Sequence, residues 1–130
     1  MITEKENLIK IAALLIHAAK IDDHYSKKEK SMISDFIESI NNNLDPKNII
    51  EIAEKDENDS NQILKYTQAL KKNPLEFKKK IIKILWKIIL SDNNSDIYEG
   101  NLMRRLCGLL YLPDKLSGDI KLEVIEEKKL

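Results

Sequence analysis

From residue 92 to residue 99 the sequence reads Asp-Asn-Asn-Ser-Asp-Ile-Tyr-Glu, a run rich in potential ligands. Asp92, Asn94, Asp96 and Glu99 offer side-chain oxygens, the donor type that hard cations such as Ca²⁺ and Mg²⁺ take. The opening Asp92-x-Asn94-x-Asp96 imitates the start of an EF-hand loop. The likeness then fails, because Ile97 stands where that loop needs Gly and Met103 where it needs a bidentate Glu. A poorer copy lies upstream at Asp22, His24, Ser26 and Glu29. The same residues also read as helix caps. Ser26 with Glu29, and Asp96 with Glu99, each fit a capping box, in which the two side chains satisfy each other's free backbone N–H. Such a cap contributes about 1 kcal/mol. Caps are the stronger reading. If the loops hold a cofactor, it is a divalent cation, Ca²⁺ or Mg²⁺, and the second loop is the better site.

Little else in the chain suggests reaction chemistry. His17 and His24 have no Cys or His partner at zinc-ligand spacing. The single cysteine, Cys107, cannot form an internal disulfide and falls at an inward helical position, as a small buried hydrophobe does. There is no Ser/His/Asp or Cys/His set and no Gly-rich phosphate loop, so a non-enzymatic protein is expected.

Charge narrows the partners. The 22 basic and 22 acidic residues cancel, and all the basic residues except Arg104 and Arg105 are Lys. Nucleic-acid binders are usually basic and favour the planar fork of Arg, so nucleic acid is not the expected partner; another protein is. Lys79, Lys83 and Lys87 share a face of one helix and are joined by Lys71, Lys72, Lys78 and Lys80 against Glu76. That face suits a peripheral contact with an anionic membrane or an acidic partner, although a solvated face is the simpler reading. Glu51, Glu54, Asp56, Glu57 and Asp59 make an acidic counterpart. The N-terminus fails as a signal peptide because acids precede its apolar stretch. The most apolar run, 81–90, is interrupted by Lys83 and Lys87 and is too short to span a bilayer. A cytoplasmic location is expected.

The elements that must position these residues are helices. Three Gly and three Pro in 130 residues argue against β-hairpins and bulges, and 42% hydrophobic residues argue against disorder. Apolar spacing predicts an all-α single domain of seven helices, over roughly 4–21, 27–40, a short third from 46 to 53, 60–72, 74–91, 97–111 and 113–128. The first carries a stripe of Leu8, Ile11, Ala12, Leu15 and Ala19. Residues 54–61 read as a polar loop. Asp45-Pro46 and Asn73-Pro74 both read as an N-cap followed by Pro, the latter with Glu76 completing a box. Gly108 suggests a close approach of the sixth helix to a neighbour. A shift of 70 residues places Asp22 on Asp92, Ser26 on Asp96, Glu29 on Glu99, Leu15 on Leu85 and Phe36 on Leu106. The architecture is therefore two pseudo-repeated helical hairpins, 4–40 and 74–111, joined by helices 3 and 4.

The paired stretches LLIHAAKIDDHYSKKE and LWKIILSDNNSDIYEGNLMRRLCGLLYLP resemble the TerB-like (tellurite resistance protein B) family, in its branch of short stand-alone bacterial proteins. The likeness covers about residues 8–125 and is most specific at Trp86, Asp92, Glu99, Asn101-Leu102, Arg104 or Arg105, and Leu109-Leu110, with Ile63-Leu64-Lys65-Tyr66-Thr67 matching the fourth helix. The resemblance implies an all-helical fold of about seven helices and a link to tellurite or chemical-stress resistance. It also implies that Asp22, Glu29, Asp92 and Glu99 stand where metal binding has been proposed for the family. The chain departs from the family's Ala-Asp-Gly at both loops: Ile21 and Ser91 replace the small residue, and Asp23 and Asn93 replace the Gly. Asp and Asn tolerate positive φ better than most residues, so the turn can survive.

Overall fold

A computed structural model of the chain describes residues 4–21, 25–60, 63–90 and 97–129. Among the described residues seven helices follow one another: α1 (Glu4–Ile21), α2 (Lys27–Ile40), α3 (Pro46–Ser60), α4 (Ile63–Leu70), α5 (Leu75–Ile89), α6 (Ile97–Leu109) and α7 (Asp114–Lys129). There is no strand among the described residues. The fold is all-α and forms a single compact domain, as the composition and spacing predict.

At its centre lies α1, packed most extensively on α3 and α4 and also touching α2, α5 and α6. The expected stripe understates it. Leu8, every residue from Ile11 to Ile16, Ala18 and Ala19 are all buried. A helix enclosed by neighbours is apolar all round, whereas a surface helix is apolar on one side only.

The third helix is also longer than expected, and the loop foreseen at 54–61 is helical as far as Ser60. The inward line of Ile49, Ile50 and Ala53 continues one turn further to Glu57, which is only 4% exposed. Apolar periodicity ends at Ala53 because the next inward residue is a carboxylate that finds its partners on α1.

Capping follows the sequence at two starts. Asp45 Oδ1 accepts from Lys47 N at 3.1 Å in front of Pro46, as an N-cap should. At α2, Ser26 and Glu29 form the capping box, with Ser26 N donating to Glu29 Oε2 at 3.1 Å. Asn73 does not cap α5. Its Nδ2 donates to Leu70 O at 2.9 Å, closing the end of α4, and its side chain also pairs with Asn7 on α1. Extended Pro74 leads directly into α5, and Glu76 pairs with Lys79 instead of completing a box.

The internal repeat extends beyond the two hairpins. α2 begins at Lys27 and α6 at Ile97, a separation of 70. α3 packs on both α1 and α2, and α7 packs on both α5 and α6. Each repeat is thus a three-helix unit, α1–α3 and α5–α7, with α4 lying between them against α1 and α6.

Candidate functional site

Of the residues expected at the acidic loops, Asp22, Asp92, Asn94 and Asp96 lie outside the described residues. Glu99 lies in the first turn of α6, and its side chain is likewise outside the description. Glu29 is described, buried to 4% exposure at the start of α2. Its Oε2 accepts from the Ser26 backbone N–H and also from the Ser26 hydroxyl. Its carboxylate is therefore engaged as a cap residue. No cluster of three or more His, Cys, Asp or Glu side chains suited to a metal ion occurs among the described residues.

Beside this cap, α1 and α3 meet through polar groups. Glu57 Oε2 accepts from Lys20 Nζ at 2.7 Å, and its Oε1 lies 3.4 Å from His17 Nδ1. Lys20 also donates to Asn58 Oδ1 at 2.8 Å. A carboxylate removed from water is tolerated only when charged or hydrogen-bonding groups replace the water, and here Lys20 and His17 do so. Tyr25, just before α2, brings a buried hydroxyl that has no hydrogen-bond partner among the described residues. Burial first, then the nearby Glu54 and Glu57 carboxylates, push this phenol above its ordinary value. Sequence reading placed Glu57 in a polar loop and did not use Lys20 or Tyr25.

The shift of 70 gives the signal that would have found Glu57, since it places Glu57 on Glu127 and His17 on Lys87. In the second unit Glu127 on α7 receives Lys83 Nζ at 2.8 Å and lies 3.8 Å from Lys87 Nζ. The hydrogen bond from Lys83 holds the Glu127 carboxyl below the usual carboxylate range and Lys83 above its own ordinary value. The lysine face of α5 is thus engaged at its edges while staying partly exposed. Lys83 and Lys87 meet α7, Lys79 meets Glu76, and Lys78 Nζ donates to Leu110 O at 3.1 Å at the end of α6.

Two further groups are structural. Trp86 Nε1 donates to Ser117 Oγ at 3.1 Å, joining α5 to α7, with Lys121 over the indole at 5.0 Å. Cys107 is fully buried, as its inward register predicts, and burial pushes its thiol up despite a hydrogen bond with Ser117. A thiolate is the reactive form, and this environment disfavours it. No helix among the described residues is long and apolar enough to cross a membrane.

No curated protein and no solved structure matches the chain. The family model described as tellurite resistance protein TerB matches residues 8–122. That span takes in the whole of the first three-helix unit after the first turn of α1, all of α4 to α6 and the first half of α7, including both Ser26/Glu29 and its counterpart Asp96/Glu99. This chain belongs to the TerB family.

Proposed function

We propose that the chain is a non-enzymatic binding or scaffold module working in a tellurite or chemical-stress response. The observation that supports this reading is that Glu29, Glu57 and Cys107, among the described residues, are engaged in holding helices together. Glu29 caps α2, Glu57 ties α3 to α1, and Cys107 is sealed in the core with its thiol pushed up. A catalytic site would instead hold such groups facing a substrate.

Two experiments test this. Affinity capture from bacterial lysate, with and without tellurite, followed by reconstitution from purified components, should return a protein that binds the chain directly. Failure to reconstitute any captured protein would remove the binding-module reading. The competing reading is a divalent-ion stress sensor using Asp92, Asn94, Asp96 and Glu99. It requires thermal stabilisation that grows with Ca²⁺, Mg²⁺, Mn²⁺ or Zn²⁺ and disappears in Asp92→Ala/Glu99→Ala. A scaffold reading expects no metal-dependent shift and a lower midpoint for that double variant in metal-free buffer.

A further inference from the structure

The end of α6 departs from what helix stability alone would select. Tyr111 adopts φ 60°, the left-handed conformation that a bulky residue rarely takes. It occupies the position after the helix where Gly is normally found. Leu112 N donates to Cys107 O at 2.7 Å and Tyr111 N to Gly108 O at 3.2 Å, the bond pair of a Schellman ending. The side chain gains little burial in return, remaining 75% exposed. Lys71 Nζ stands 5.7 Å from the ring centroid.

One turn earlier on the same helix, Gly108 is exposed, and a Cβ added there would meet nothing within 4 Å. No neighbour requires the glycine, so the close approach expected from sequence is absent; Gly in a helix interior disfavours the helix. Gly118 on α7 is equally open, but no left-handed residue or free Arg flanks it. One turn before Gly108 come exposed Arg104 and Arg105, the chain's only arginines. Neither makes a hydrogen bond or ion pair among the described residues. Arg104 and Gly108 share a helix face by i, i+4 spacing, and Tyr111 follows at the end of the same helix with its ring beside Lys71. Among the described acids, Glu76 pairs with Lys79 and Asp114 sits in the first turn of α7.

We propose that this face of α6 docks an extended acidic segment of a partner protein. Arg104, Arg105 and Lys71 would pair with its carboxylates, its backbone would cross the bare surface at Gly108, and Tyr111 would pack beside it. A planar guanidinium forms paired bonds with a carboxylate, and exposed Arg and aromatic residues are the types enriched at interface anchor sites. Unfavourable backbone choices concentrate at functional surfaces. The proposal rests on the binding-module reading and adds its partner chemistry.

The test titrates the full chain into a fluorescein-labelled peptide of alternating Glu and Ala, read by anisotropy, beside a Lys/Ala peptide and phosphatidylserine vesicles. The Glu/Ala peptide should bind saturably and the other two should not. Arg104→Ala/Arg105→Ala should weaken binding about tenfold or more, while Lys47→Ala/Lys55→Ala on the exposed surface of α3 should leave it unchanged. Tyr111→Gly and Gly108→Gln should weaken binding while raising the thermal midpoint, a combination that a purely structural role does not produce. The proposal is overturned by absent saturable binding, by preference for the vesicles, by equal loss in the α3 control, or by Tyr111→Gly binding as wild type. A partner reconstituted from lysate that binds independently of these residues would overturn this site and leave the binding-module reading standing.

Discussion

Each three-helix unit joins its first and third helices through a glutamate at the same register, but the two junctions differ in burial. Glu57 lies 4% exposed between α1 and α3 with Lys20 and His17, while the side chain of Glu127 is 48% exposed above α5 with Lys83 and Lys87. The repeat therefore preserves where the charge sits while the surroundings decide what it does. α1 is enclosed by five other helices, so its polar contact to α3 falls within the packed interior. α5 keeps its lysine side toward solvent, where ion pairs contribute little because water competes for both partners. One glutamate is a requirement of the core, and its counterpart is a surface decoration of the same architecture.

The largest effect should come from Glu57→Ala, which leaves Lys20 and His17 facing a buried gap. A loss of about 2–3 kcal/mol in urea unfolding is expected, below the roughly 3–5 kcal/mol for fully buried pairs because Lys20 remains partly in water. A Glu57→Ala cost no greater than that of Glu127→Ala would break the contrast. Next comes the helix start beside Glu57. Ser26→Ala should cost about 1 kcal/mol, independent of added divalent metal, because it removes one member of the capping box. Of similar size and opposite sign, Tyr111→Gly should stabilise by about 1 kcal/mol, since Gly takes positive φ without strain.

The smallest effect belongs to Glu127→Gln, whose thermal midpoint should lie close to that of wild type at neutral pH. Its pH dependence sharpens the comparison. Because the folded carboxyl titrates lower than in the unfolded chain, any stabilisation it gives is present above the unfolded value. That stabilisation is lost as pH falls through the folded value. The gap between wild type and Glu127→Gln should thus close on acidification. A gap that widens instead would show that Glu127 is not held by Lys83 in solution.

Helix number and most boundaries were legible because apolar spacing and turn residues act locally. Asp45-Pro46 and Ser26/Glu29 announce their helix starts for the same reason. What escaped depends on contacts distant in sequence. α3 read as short because Glu57 looks like a solvent residue until Lys20 of α1 is brought to it. Asn73 read as a cap for the helix after it, but Asn7 of α1 and the end of α4 claim its side chain. Tyr111 gives no sequence signal of a left-handed residue, since that place normally goes to Gly. Of the expected loop site, only Glu29 can be placed with its partners, and these are those of a cap.

Enclosure of α1 by both units bears on how the chain unfolds. In a solenoid each repeat rests on its neighbours alone and can open separately. Here both units share one strut, so withdrawing it would strip apolar cover from α3, α4 and α5 at once. The amides of Ile11 to Ile16 should then be among the slowest to exchange, with protection approaching the global unfolding free energy. On that account the two units should unfold as one cooperative object and not one after the other.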